Sequence, residues 1–103
     1  ATISGVATST DVTAPTAPGA LTVTERTKTA IRLTWTASTD NVGVVVYRLK
    51  RGTTTIAYRQ ASSSLTYFEQ QLTQGTNYTF TVVAVDAAGN ESPVATVATS
   101  TLP

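Results

Sequence analysis

Apolar residues in this chain recur at every second position, in short runs, and nowhere at convincing helical spacing. Leu21 and Val23 alternate with Thr22 and Thr24, and Ile31, Leu33 and Trp35 with Arg32, Thr34 and Thr36. Tyr47 and Leu49 alternate with Arg48 and Lys50, and Ile56 and Tyr58 with Ala57 and Arg59. The longest run sets Tyr78, Phe80, Val82 and Ala84 against Thr79, Thr81, Val83 and Val85. Successive side chains of a strand point to opposite faces, so this period predicts strands with one dry and one wet face. Gly, Asn, Asp and Ser separate the runs, as turns require. Seven strands are predicted, at about 20–25, 30–36, 44–50, 54–60, 65–69, 77–86 and 94–100. Seven short strands in roughly 85 residues bury their dry faces by forming two antiparallel sheets packed face to face. The expected fold is an all-β, seven-stranded antiparallel sandwich.

Composition supports this and excludes several functions. Of 103 residues 23 are Thr and 8 are Ser, and the β-branched Thr suits a pleated, half-wet surface. The absence of Cys and His removes disulfides, thiolate nucleophiles, Ser-His-Asp triads and the usual zinc or copper ligands. Seven basic against six acidic side chains leave a net charge of +1, which gives no strong pull on nucleic acid or an anionic membrane. No apolar run approaches the ~20 residues that span a bilayer. No basic start followed by an apolar stretch marks a signal peptide.

Residues 1–13 (ATISGVATSTDVT) are small and hydroxyl-rich, with Ile3 and Val6 isolated among them. They are expected to form a linker or tail, ahead of one domain at 14–103. Pro15 and Pro18 fix φ and lack N–H donors, so the stretch that holds them is extended and edge-like.

Trp35 closes the inward row of the second strand, and Tyr47 follows twelve residues later on the third. Leu72, Gly75 and Tyr78 then form an L-x-x-G-x-x-Y pattern that leads into Phe80 and Val82. With this spacing the chain resembles a fibronectin type III domain, an immunoglobulin-like sandwich, from roughly Pro15 to Thr101. The resemblance implies that Tyr78 makes a tyrosine corner, its hydroxyl bonded to backbone a few residues upstream. It also implies a structural core built on Trp35, Tyr47, Leu72, Tyr78 and Phe80. The stretches Trp35 to Val44 (WTASTDNVGV) and Ala84 to Ser92 (AVDAAGNES), with Pro15-Thr16-Ala17-Pro18, resemble the bacterial branch of that family. Such modules lie between catalytic and carbohydrate-binding domains of secreted chitinases, cellulases and related hydrolases. One departure is visible: Lys50 stands where bacterial relatives often carry a second Tyr in a Tyr-x-Val-Tyr-Arg-Asn-Gly run.

Candidate sites are few. Trp35, the single Trp, belongs to an inward row and is expected in the core, unavailable as a sugar platform. Tyr67 matches a core or inter-sheet position; Tyr58 is open to partial exposure, but one Tyr does not make a sugar-binding strip. Arg48, Lys50 and Arg59 are expected to share the wet face of neighbouring strands, as a solvated surface that discourages edge pairing. A glycosidase needs two carboxylates ~5–10 Å apart across a cleft, and a filled small sandwich has no cleft. Asp86, Asn90 and Asp11 are hard oxygen ligands that could meet calcium at one pole. Turn chemistry accounts for Asp86, Gly89 and Asn90 without an ion, and no metal or cofactor is expected. Asn77-Tyr78-Thr79 and Asn90-Glu91-Ser92 match the glycosylation sequon by chance in a Thr-rich chain.

The resulting expectation is a monomeric, non-catalytic spacer in a secreted, multi-domain bacterial polysaccharide-degrading enzyme. Its partners are the neighbouring domains of the same polypeptide, with at most weak contact to insoluble polysaccharide. Two alternatives stay open: an extracellular adhesion module that binds protein, and a weak carbohydrate-binding module.

Overall fold

The computed structural model describes residues 13–103. In chain order the strands are β1 (Gly19–Arg26), β2 (Ile31–Thr36), β3 (Val44–Arg51), β4 (Thr54–Gln60), β5 (Thr66–Glu69), β6 (Asn77–Asp86) and β7 (Ala95–Ser100). They form a three-stranded sheet, β1-β2-β5, and a four-stranded sheet, β4-β3-β6-β7. All pairs are antiparallel.

The dry faces meet between the sheets. Ile31, Leu33 and Trp35 come from β2, Tyr47 and Leu49 from β3, and Phe80, Val82 and Ala84 from β6, with Leu72 from the β5–β6 connection. Each of these is buried, and the Trp35 and Tyr47 rings meet edge to face at 5.7 Å. Tyr78 is half-buried against this cluster, tilted over Phe80 at 6.2 Å. Two phenols anchor loops to the core. The Tyr47 hydroxyl accepts the Ser38 N–H at 2.9 Å, and the Tyr78 hydroxyl accepts the Thr73 N–H at 2.8 Å. Each places an acceptor where a loop has left the sheet and an N–H lacks a strand partner. Gly75 makes the bend beneath Tyr78, with φ +63°, a left-handed conformation that a Cβ resists.

One expectation is overturned in β4. The simple alternation of Ile56 and Tyr58 against Ala57 and Arg59 does not survive the register. Leu49 lies opposite Ala57 and Lys50 opposite Thr55, so Ile56 is the extra residue of a bulge. Ile56 and Ala57 both pack against the core. Beyond the bulge the phase is reversed, because a one-residue shift moves each later side chain to the other face. Tyr58 therefore pairs with Arg48 on the outer face, and Arg59 pairs with the buried Tyr47 on the inner face. Arg48 and Lys50 share a face, but Arg59 does not belong to it.

Both ends of the described chain are tied down, at opposite poles. Thr16 donates its N–H to the Thr39 carbonyl at 2.9 Å, and the Thr39 N–H returns to the Thr16 hydroxyl at 2.9 Å. This N-terminal pole holds the β2–β3 and β6–β7 connections. At the other pole the Leu102 N–H reaches the Thr27 carbonyl at 2.9 Å, and Gly75 donates to the Leu102 carbonyl at 2.9 Å. Thr101, 2% exposed, accepts the Thr76 N–H at 3.0 Å and donates to the Thr73 carbonyl at 2.6 Å.

Candidate functional site

The outer face of the four-stranded sheet is ordered in cross-strand rows. Gln60, Val46, Val85 and Glu91 form one row, and Tyr58, Arg48 and Val83 the next. Thr55, Lys50, Thr81 and Thr96 form the third. The Arg48 guanidinium holds both Glu91 carboxylate oxygens, Nη1 to Oε2 at 2.6 Å and Nη2 to Oε1 at 2.9 Å. Such forked pairs fix geometry as well as charge. Arg48 lies on β3 and Glu91 at the far side of β6, so the pair reaches across β6. Val83, on the outer face of β6, is accordingly only 5% exposed. Tyr58 is 65% exposed, and the other aromatic rings of the described residues are buried or half-buried. Lys50 has no ion-pair partner among the described residues.

A second polar cluster closes the seam between the sheets. Arg51 of β3 pairs with Glu69 of β5, which is 8% exposed, and the Tyr67 hydroxyl donates to Glu69 at 3.4 Å. Arg59 reaches the Ser64 carbonyl from the inner side of β4. Burial, reinforced by the Glu69 carboxylate, raises the Tyr67 pKa above its ordinary value of 10.0. The folded state thus holds the phenol proton more tightly than the unfolded chain. The stability from this group is complete below a pH of about 10 and is lost as pH rises through the raised value. Denaturation midpoints should therefore fall as pH rises above about 10, and should fall less for Tyr67→Phe.

The N-terminal pole carries the predicted oxygen ligands. Asp86 Oδ1 accepts the N–H groups of Ala88 at 3.0 Å and Asn90 at 2.9 Å, and Oδ2 accepts the Asn90 side-chain amide at 3.1 Å. Asp40 Oδ2 accepts the N–H groups of Val42 and Gly43 at 3.2 and 3.1 Å. Both carboxylates organise turns. Asp11, named with Asp86 and Asn90 from the sequence, lies outside the described residues. Among the described residues no group of three or more His, Cys, Asp or Glu is placed to hold a metal ion.

The sequence did not reveal the inward turn of Arg59, and for Tyr58 it left open only a partial exposure. Both follow from the bulge at Ile56, for which the run from Thr53 to Arg59 carries no Gly or other marker. The pairing of Arg48 with Glu91, 43 residues apart, has no local signal either.

A model of the fibronectin type III domain matches residues 16–100. The chain is 49% identical over 85 residues to Chitinase A1 of Niallia circulans, covering 80% of this chain and 11% of that protein. It is 46% identical over 82 residues to Exoglucanase A of Cellulomonas fimi, covering 80% and 9%. The chain thus spans about a tenth of the curated relatives it matches. Among solved structures, Chitinase ChiA74 from Bacillus thuringiensis superposes with a TM-score of 0.80 at 34% identity, over 89% of this chain and 14% of that one. A structure of the FN3tt mutant superposes at 0.75 with 25% identity, over 88% of this chain and the whole of the other.

Proposed function

The chain belongs to the fibronectin type III domain family, and from that premise we propose that it is a non-catalytic accessory module of a secreted bacterial polysaccharide-degrading enzyme. Its work is to hold neighbouring domains of one polypeptide at a set distance and orientation. The observation that carries this reading is the tethering of the chain at opposite poles. Thr16 is bonded to Thr39 at one end and Leu102 to Thr27 and Gly75 at the other. A domain arriving at one pole and a domain leaving the other are separated by the length of the sandwich. The ten residues of β6 alone span ~33 Å at 3.3 Å each. A Thr/Ser segment of equal mass would be a flexible coil. The separation of catalytic and binding domains sets the effective concentration of enzyme at an anchored substrate.

The carboxylates support a non-catalytic role. Glu25, Glu69 and Glu91 are engaged by Arg32, Arg51 and Arg48, and Asp40 and Asp86 hold turns. A general acid and its partner need two carboxyl groups facing a shared cleft. The relatives named above are a chitinase and an exoglucanase, which supports a glycoside hydrolase as the parent.

A domain exchange tests the proposal. In Chitinase A1 the segment that this chain matches is replaced by this chain, or by a Gly/Ser segment of equal residue number. Hydrolysis of insoluble chitin should persist with this chain and fall severalfold with the flexible segment. Hydrolysis of soluble oligosaccharides should be equal in all versions. Equal activity of the flexible version on insoluble chitin would refute the spacer role.

A further inference from the structure

We propose that Tyr58, with Gln60 and the Arg48–Glu91 pair, forms a contact site for pyranose rings on the surface of an uncharged, β-linked polysaccharide. The inference rests on the reading that the module serves a polysaccharide-degrading enzyme, and it assigns a second task to one face.

Tyr58 carries the argument. The bulge at Ile56 turns it out of the core, where simple alternation would have put it, and leaves it 65% exposed on an otherwise mixed sheet face. Tyr58 is not among the side chains packed against the core. Its cross-strand neighbour is Arg48, and Gln60 lies two residues along the same face. A pyranose ring with equatorial substituents presents C–H bonds on its faces and hydroxyls at its edge. A phenol ring suits the first, and planar guanidinium, carboxylate and amide groups suit the second. Arg48 and Glu91 are locked by two mutual hydrogen bonds, so little side-chain entropy remains to be lost on contact. Glu91 is 43% exposed along its side chain and retains acceptor capacity toward solvent.

Charge selects the class of polymer. Arg48 and Glu91 cancel, leaving Lys50 as the remaining charge of the three rows. An acidic polymer would want a row of cations here, and an uncharged one does not. Chitin and glucan, for which the relatives are named, are uncharged. A single stacked ring gives weak affinity in solution, and a solid surface raises retention by offering many sites.

The isolated chain suits the test, because the matched FN3tt structure is a single domain of this fold that the chain covers end to end. Depletion from ~50 μM solution is measured on crystalline chitin and cellulose, alongside thermal melts and Trp35 emission as controls for folding. The unmodified chain should be retained, Tyr58→Ala should lose about tenfold in retention with an unchanged melt, and Tyr58→Trp should restore it. Lys50→Ala should bind as the unmodified chain does. Absence of depletion, or equal depletion of Tyr58→Ala, overturns the proposal. A concentration-dependent dimer seen by sedimentation and abolished by Tyr58→Ala, without depletion, would make this face a contact between copies and likewise overturn it. Carried into the chitinase exchange, Tyr58→Ala should lower hydrolysis of insoluble chitin. An unchanged rate there sinks this inference and leaves the spacer role standing.

Discussion

Replacing Trp35 with alanine is expected to remove ~3–5 kcal/mol of folding stability, the cost of deleting a large buried aromatic side chain. Trp35 is 2% exposed, flanked by Leu33 and Ile31 on its own strand, and its ring meets the edge of Tyr47. Tyr47 in turn accepts the Ser38 N–H, so the cavity left by Trp35 would also loosen the acceptor that holds the β2–β3 loop. Domains of this size have ~5–15 kcal/mol in total, so the variant should unfold at much lower urea and temperature. Trp35→Phe should be milder. It keeps most of the ring and removes an Nε1–H that is buried without a hydrogen-bond partner among the described residues. In the unmodified chain the same burial should give blue-shifted emission, protected from iodide and acrylamide. Red-shifted, freely quenched emission from the folded protein would contradict the packing.

The second large effect is expected at Asp86. This carboxylate is 3% exposed and accepts hydrogen bonds from Ala88, Asn90 and the Asn90 side chain. The turn backbone adds Asp86 N–H to Asn90 carbonyl and Gly89 N–H to Asp86 carbonyl, both at 3.1 Å. Asp86→Ala leaves the turn donors without their acceptor and should cost ~2–4 kcal/mol. Glu91 follows the turn, so its fork with Arg48 should weaken too, visible as a reduced penalty for Arg48→Ala in the Asp86→Ala background. Asp86→Asn retains one acceptor oxygen and should fall between. Because the carboxylate is committed to the turn, melts with millimolar calcium and with chelator should coincide. An upward shift of several degrees with calcium, lost in Asp86→Ala, would show that the pole binds the ion.

The strand plan was legible because period-two alternation and turn residues are local signals. The seven runs predicted from sequence fall within a residue of the observed strands. The Tyr78 corner was legible through the family resemblance, which the L-x-x-G-x-x-Y spacing of Leu72, Gly75 and Tyr78 carries: a left-handed bend and a phenol reaching back five residues need fixed residue types. The outer-face site was not. Its pieces come from β3, β4 and the turn after β6, and they meet only through register.

Which residues can be dry and where the chain must turn are written locally, in short stretches of sequence. Hydrophobic period and turn propensity act over a few residues and do not depend on the partner strand. The tertiary structure alone decided the face that β4 shows to solvent. Opposite β3, one extra residue at Ile56 is accommodated as a bulge, and both Ile56 and Ala57 gain burial against the core. That packing reverses the phase beyond it, sending Tyr58 into water and Arg59 toward Tyr67 and Ser64. Only tertiary contacts, too, set Arg48 against Glu91 and brought the two ends of the sandwich to opposite poles. Those arrangements depend on which strands pair, a choice made by burial summed over the whole core rather than by any short stretch of chain.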